Sequence, residues 1–453
     1  MSGQVLTDTH CVQQGTFYLE IWGCQMNVYD GARLADLLRA CGYAQVSSPN
    51  LADVVVLVTC AVREKAENKV FNQIAAWRHR QELKQGGLLA LGGCVGAELA
   101  AQALAHPAGI DIVFGPSTAH RLPELIRRCK ETGAGVAEVV ADSLEKFTAL
   151  PAPQVEGVSS FVTIMEGCSN LCSYCIVPYT RGEECSRSVE GILSECRHDL
   201  ESGALELHLL GQNVNSYRGV YADGTPCDFP TLLYEVAALP GLRRLRFTTS
   251  NPMDFSDELV EAFSELTVLA DSVHIPVQSG SDRILKLMNR RYSAASYREL
   301  INKLRKARPG IRISSDFIVG FPGESEEDFK ATLSLAQETG FDQSFSFIYS
   351  KRPGTPAAEL EDNVPLQVKR ERLYLLQETL ELSAAALSQA LVGSIQRVLV
   401  EGPSRRDSGE LKGRTSQNRI AVFKGPASLI GQECTLKITR SVVHTLRGEL
   451  CEV

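Results

Sequence analysis

Nothing in this 453-residue chain resembles a bilayer-spanning segment: the longest uninterrupted aliphatic run is Val54–Val58, against the ~20 apolar residues a spanning helix needs. The opening residues, MSGQVLTDTHC, lack the basic start and apolar core of a secretory signal, so a cytoplasmic protein with no membrane partner is expected. Positive charge is also in deficit. Forty-six Lys/Arg against 54 Asp/Glu leave a net charge of −8, which argues against the whole chain coating nucleic acid but not against one basic module. A disulfide scaffold is excluded on similar grounds. The 14 cysteines are diluted over a chain long enough for roughly two to four domains, and no export signal precedes them. Reduced thiols, several of them metal ligands, are the expectation. With 44% hydrophobic and 22% charged residues, the chain is neither disordered nor fibrous.

The fold class reads as α/β. Over residues 1–150, short aliphatic strands (Thr16–Trp22, Asp53–Val58, Gly87–Leu91, Ile110–Phe114) alternate with helical stretches such as Gly31–Cys41 and Lys65–Leu83, predicting an N-terminal parallel α/β domain. The segment LPAPQVEGV, residues 150–158, reads as a linker. Over residues 151–366 the strand–helix theme recurs six times, with strands ending near Glu166, Leu210, Thr249, Val277, Val319 and Tyr349. Each runs into a polar or Gly/Pro-rich loop. Six units suggest a central open (β/α)6 partial barrel, since eight complete a closed one, with the loops sharing one mouth. Residues 367–390 form a connecting helix, and 391–453 read as a C-terminal small β-barrel. That tail carries ten Lys/Arg against six Asp/Glu, a net of +4, leaving −12 on the rest. It is either an RNA-binding module or a packing domain with a solvated face.

Cys168, Cys172 and Cys175 form C-x3-C-x2-C in the loop after the first strand of the barrel region. Three thiolates this close can hold three irons of a [4Fe–4S] cluster, and the missing fourth leaves one iron open to an exogenous ligand. Zinc is the alternative, but a structural zinc site takes four ligands, often as two close pairs, and no second pair or His lies beside the triplet. Tyr174, inside the motif, is placed to pack against a purine or simply to pack. A second set is spread out. Cys24, Cys60 and Cys94 each follow a predicted strand, at spacings of 36 and 34. Parallel strands bring their carboxyl ends to one sheet edge, so these thiols can converge, with Gly23 and Gly93 permitting close approach. Taken singly, each would be a small buried hydrophobe. Cys11, Cys41, Cys129, Cys185, Cys196, Cys227, Cys434 and Cys451 share no common placement and read as packing thiols, Cys185 being the nearest in sequence to the triplet.

The triplet with Tyr174 resembles the radical S-adenosylmethionine (SAM) superfamily, and the chain resembles its methylthiotransferases from end to end: a three-cysteine N-terminal domain, a radical SAM barrel and a TRAM-like RNA-binding β-barrel. Gly23-Cys24-Gln25-Met26-Asn27 with Tyr29-Asp30 is similar to the branch that acts on N6-isopentenyladenosine in tRNA. So are the segments VREKAE at 62–67, PYTRGEE at 178–184, LGQNVN at 210–215 and YSKRPGT at 349–355. Gly31 and Gly96 stand where Ser and Ala are usual, and neither change removes a ligand.

The resemblance implies methylthiolation of C2 of that adenosine at position 37, in the anticodon stem-loop. Two S-adenosylmethionine molecules are used, one as methyl donor and one as source of a 5′-deoxyadenosyl radical. It implies two [4Fe–4S] clusters, the radical one on Cys168, Cys172 and Cys175 and an auxiliary, sulfur-carrying one on Cys24, Cys60 and Cys94. An external electron donor such as a flavodoxin or ferredoxin and a monomeric state are also expected. Cofactor contacts are expected from Tyr174 and the strand-end residues Gln212, Asn213, Gln278, Ser279, Ile318, Val319 and Gly320. RNA contacts are expected from Tyr179 and Arg181, unless these are a structural pair, and from Arg405, Arg406, Lys412, Arg414 and Arg419 of the tail. Two other functions compete. One keeps the chemistry on threonylcarbamoyladenosine or on a ribosomal-protein aspartate; the other is a non-catalytic, metal-containing RNA-binding protein. Nucleoside analysis of tRNA separates the first, and iron and sulfide content the second.

Overall fold

Strands that run VVVLVT or LLALGG have no polar face to offer water, so they form only where helices cover both sides of a sheet. The computed structural model of the chain describes residues 14–60, 66–141, 145–405, 407, 409–442 and 444–451, and residues 66–68 by backbone only. Cys11, Arg406 and residues 62–65 of the VREKAE segment lie outside the described residues. In it β1 (Gly15–Ile21), β2 (Tyr43–Gln45), β3 (Val54–Thr59), β4 (Leu88–Gly93), β5 (Ile112–Phe114) and β6 (Val136–Glu138) form one sheet in the order β2-β1-β3-β4-β5-β6. All five pairings are parallel. The edge strands β2 and β6 went unpredicted because three residues carry no readable periodicity. Helix α1 (Gln25–Ala40) starts six residues before the predicted Gly31, directly after Cys24. Helices α2 (Ala66–His79) and α3 (Cys94–Ala105) follow β3 and β4. Gly31 and Gly96 both sit at tight contacts: a Cβ would lie 2.4 Å from Ile21 Cδ1 and 2.6 Å from the Phe114 carbonyl oxygen, respectively.

This sheet and its helices, up to Gln154 and with Ile176–Cys185, make one compact unit; Val155–Cys175 and Ser186–Val453 make a second. In the second unit, Ser159–Thr163, Glu206–Leu210 and Arg244–Thr248 pair in parallel. Ser272–His274 pairs with Arg312–Ser314, and Asp316–Val319 with Phe345–Ile348. Single bridges, Leu245 to Leu269 and Gln278 to Phe317, stitch these pieces into the expected six-position open barrel. The strand predicted over Arg312–Val319 breaks at Ser315, whose buried hydroxyl accepts from Val277 N–H at 2.9 Å.

The barrel strands alternate. Leu207, Leu209, Leu245 and Phe247 pack into the outer core. Glu206, His208, Arg246, His274 and Asp316 occupy the other register and hydrogen-bond among themselves and to nearby hydroxyls. His208 Nε2 lies 2.7 Å from Thr248 Oγ1, and His274 Nε2 lies 3.2 Å from Asp316 Oδ2. The connecting helix spans Leu366–Gln389, and the tail is a closed barrel of five strands. Two of those strands, Glu410–Thr415 and Thr445–Leu450, were not foreseen, because each has a charge on either side of a central glycine.

The tail is fastened to the strand-start end of the open barrel. Glu206 accepts from Arg246 Nε at 3.0 Å, and Arg246 Nη2 and Arg244 Nη1 reach on to the carbonyls of Thr415 (2.9 Å) and Arg414 (2.8 Å). Arg419 is buried, pairs with Asp342, and donates to the Ala384 carbonyl at 3.1 Å.

Candidate functional site

The first set of thiols is assembled by strand register. Ile21 pairs with Val58 and Thr59 with Gly93, so β1, β3 and β4 end together. Cys24 then caps α1, Cys60 directly follows β3, and Cys94 opens α3. Cys24 is exposed while Cys60 and Cys94 are buried. Two glycines make the approach possible. At Gly23, φ is +126° and a Cβ would stand 2.3 Å from Cys60 Cβ; at Gly93, φ is +85° and a Cβ would stand 2.3 Å from the Thr59 carbonyl. Cys24 sits at a helix N-terminus, where the dipole favours a thiolate, and Cys94 is the first residue of α3.

The Cys24 thiol is drawn down to about 6 by its hydrogen bond with Cys60, with desolvation opposing and the Arg181 charge helping. Below it lies a buried network. Asp30 takes Arg181 Nη2 at 2.9 Å and Lys146 Nζ at 3.1 Å, and Arg181 also reaches Asn27 Oδ1 at 3.3 Å. Burial alone would raise the Asp30 pKa, but the charges of Lys146 and Arg181 hold it below the ordinary carboxylate value. Among the described residues no three His, Cys, Asp or Glu side chains are close enough to grip a single ion. Thiolates around one zinc sit ~4 Å apart, and a four-iron cluster spaces them wider. The donor set is purely sulfur, which suits iron–sulfur chemistry.

The second set lies in a braced loop. Cys168, Cys172 and Cys175 are all half-buried, and Cys175 N–H donates to the Cys172 carbonyl at 3.0 Å. Ser173 holds the loop on two sides. Its N–H and hydroxyl donate to the Met288 (3.1 Å) and Leu287 (2.8 Å) carbonyls, and its own carbonyl accepts from Ala357 N–H at 2.7 Å. Asn289 donates to the Leu171 carbonyl at 2.7 Å. Asp254 joins the loop to the strand ends, accepting from Asn213 at 2.7 Å and Asn170 at 3.4 Å. Tyr174 receives a hydrogen bond from Arg290 at 2.8 Å, and burial pushes its phenol well above 10. At the strand ends, Gln212 Oε1 and Ser250 Oγ are buried with no hydrogen-bond partner among the described residues. Two orphaned polar atoms beside a thiol-lined loop fit a polar small-molecule cofactor.

Several sequence expectations need correction. Arg181 does not face RNA, because it is committed to Asp30 in the buried network. Arg419 is likewise committed to Asp342. Lys412 and Arg414 share Glu401, at 3.9 and 2.9 Å, so their charge is largely matched. Val319 belongs to the outer core, and Ser279 is fully buried with its hydroxyl on Thr332 at 3.2 Å. Neither side chain is available to a cofactor. Gly320 gives its N–H to Glu324 at 2.8 Å and lies under the Lys369 stem. Gln278 is buried with φ of +68°, Ile318 is half-buried beside Phe321 and Tyr349, and Asn213 acts through Asp254 and Asn251. Tyr179 and Arg405 are exposed. Missed altogether were the polar residues His208, Arg246, His274 and Asp316. Alternation in ELHLL and RLRFT was the available signal. In the tail, the cations free of carboxylates among the described residues are Arg397, Arg405, Lys424, Lys437 and Arg440, all exposed.

Comparison with known proteins places this geometry. Residues 162–336 match the radical SAM superfamily, 16–115 an uncharacterized family designated UPF0004, and 389–451 the TRAM domain. A tRNA-2-methylthio-N(6)-dimethylallyladenosine synthase from Alkalilimnicola ehrlichii is 52% identical over 96% of this chain and 97% of its own length. The chain belongs to that synthase family. Synthases from Vibrio parahaemolyticus (49% identity; 95% of this chain, 91% of theirs) and Coxiella burnetii (48%; 96% and 99%) are similar throughout. As a radical SAM protein of this family, the chain is an enzyme that uses a [4Fe–4S] cluster and S-adenosylmethionine. The fold is shared with the radical SAM methyltransferase TsrM from Kitasatospora setae, at 14% identity and a TM-score of 0.55 over 76% of this chain and 74% of that one. Among the described residues no helix is long and apolar enough to cross a membrane.

Proposed function

We propose that this synthase-family chain installs a methylthio group at C2 of N6-isopentenyladenosine, the dimethylallyl-modified base, at position 37 of tRNA. The observation that carries this reading is the position of Cys24, Cys60 and Cys94 at the ends of three adjacent parallel strands. A second all-sulfur set, additional to the radical SAM loop, is what sulfur insertion requires beyond methyl transfer.

Cys168, Cys172 and Cys175 would hold the radical SAM cluster, and Cys24, Cys60 and Cys94 an auxiliary one. When bound, these groups supply the electron that cleaves S-adenosylmethionine and the sulfur that is transferred. The chain's own residues do the positioning. Asp254, held by Asn213 and Asn170, fixes the thiol loop against the strand ends. Gln212 and Ser250 offer hydrogen bonds to the polar cofactor. Tyr174, with Arg290 on its hydroxyl, presents a fixed ring beside the cofactor. Tyr179 is exposed for stacking on a base, and Arg397, Arg405 and Lys437 give the tail an open basic face for tRNA. The chain works in the cytoplasm as a monomer with an external one-electron donor of the flavodoxin or ferredoxin class.

Nucleoside mass spectrometry of tRNA from cells with and without the protein tests the reading. A methylthio-isopentenyladenosine peak that vanishes without the protein is expected. An unchanged peak, or loss of methylthio-threonylcarbamoyladenosine instead, would refute it.

A further inference from the structure

The loop that carries Cys168, Cys172 and Cys175 is bordered by two segments rich in cations. Residues 282–292 and 350–357 contain six Lys/Arg and one carboxylate, Asp282, whose oxygen is taken by Ala294 N–H at 2.7 Å. Arg283 pairs with Asp328, and Arg290 is committed to Tyr174. The remaining four are Lys286, Arg291, Lys351 and Arg352. The first three are exposed and the fourth half-exposed, and among the described residues none has a carboxylate partner.

Their backbones are fixed to the thiol loop. Lys286 precedes Leu287 and Met288, which hold Ser173; Arg291 follows Asn289, which holds the Leu171 carbonyl. Lys351 and Arg352 enter a turn closed by Thr355 N–H on the Arg352 carbonyl at 3.1 Å, and that turn leads to Ala357, the third brace on Ser173. Two large apolar side chains lie open at the same rim: Leu171 at 63% and Leu287 at 39% exposure.

We propose that this rim, with Lys286, Arg291, Lys351 and Arg352 on phosphates and Leu171 and Leu287 under unstacked bases, is the docking surface for the anticodon-loop RNA. Single-stranded RNA loops are held by cations on their phosphates while splayed bases lie against exposed side chains; here the two leucines would give van der Waals contact in place of aromatic stacking. The tail is joined to the opposite end of the barrel strands. It is fastened at the strand starts, one strand length away from the thiol loop. For the five residues Glu206–Leu210 that is ~17 Å. Its Lys412, Arg414 and Arg419 are also matched by carboxylates. RNA at the barrel mouth therefore needs phosphate contacts of its own. The proposal rests on tRNA as the substrate. An acidic electron-carrier protein would present the same charge, and the experiment separates the two.

The test is the binding of an isopentenylated anticodon stem-loop RNA to the reconstituted full chain, from 50 to 200 mM salt. Wild type is compared with K286Q/R291Q/K351Q/R352Q and with each single replacement. Each lost phosphate contact should lower the slope of log affinity on log salt by about 0.7–0.9, and the quadruple change by about 3. These side chains have no carboxylate partner among the described residues, so melting temperatures should be unchanged. Equal affinity and slope in the quadruple variant would overturn the proposal. If that variant were then impaired only with a protein reductant and not with dithionite, the rim would be a reductant-docking face. Absence of any salt-dependent RNA binding by the wild type would instead strike the substrate assignment, and the proposal with it.

Discussion

Gly23 sits where the chain must turn between β1 and Cys24 while Cys60 approaches from the side. Gly23→Ala forces a Cβ into Cys60 and a side chain onto a left-handed backbone, which should cost about 1–3 kcal/mol. Because the clash falls on a candidate ligand, the variant should also lose the iron of the auxiliary site, readable as iron per chain. Arg181 makes the opposite kind of prediction. Arg181→Ala leaves Asp30 half-compensated in a buried pocket, so denaturant unfolding should show a loss of about 3–5 kcal/mol. An RNA-anchoring arginine would weaken RNA binding with little change in stability. His208 supplies a pH dependence. Desolvation, then the charge of Arg246, lowers its pKa to about 3 from the ordinary 6.5, with Glu206 opposing. Below pH 6.5 the unfolded chain takes up a proton that the folded chain refuses, so stability should fall as pH drops from 6.5 toward 3. His208→Gln should remove that part of the loss. The difference between the two melting-temperature profiles isolates it, since the carboxylates titrate in both chains.

At the level of elements, β3 and β4 were legible as solid aliphatic runs, and the barrel strands as short runs of apolar residues that each pass into a polar or Gly/Pro-rich loop. The spacing of Cys24, Cys60 and Cys94 was legible for the same reason, since each thiol comes at the close of such a run. The strand Glu410–Thr415 was not, because glycine and alternating charges mask its period. Nor were the partners of Arg181 and Arg419, which lie 151 and 77 residues away in sequence. The tail's charge placed Arg419 on an RNA-facing surface, and the position of Arg181 beyond the cluster loop left an RNA contact and a structural pair both open; only tertiary packing reveals the carboxylates that bury them. The same packing changes what a truncation means. Removing residues 391–453 would strip Arg419 from Asp342 and the Thr415 carbonyl from Arg246. The truncated barrel should therefore melt well below the full chain, beyond any loss of tRNA affinity. Arg397→Gln with Lys437→Gln is the cleaner probe of the tail: the slope of tRNA binding on salt should fall by about 1.5, with no change in melting temperature. An unaltered slope would return the tail to a packing role.

Across the whole molecule, each compact unit carries its own three-thiol set: Cys24, Cys60 and Cys94 in the first, Cys168, Cys172 and Cys175 in the second. The ligands are supplied by separate elements, so each site should assemble without the other. Iron and sulfide per chain, after anaerobic reconstitution, test this most directly. The wild type should hold about eight irons, and C24A/C60A/C94A and C168A/C172A/C175A about four each. A folded triple variant that lost all its iron, or one that kept all eight, would contradict two independent sites.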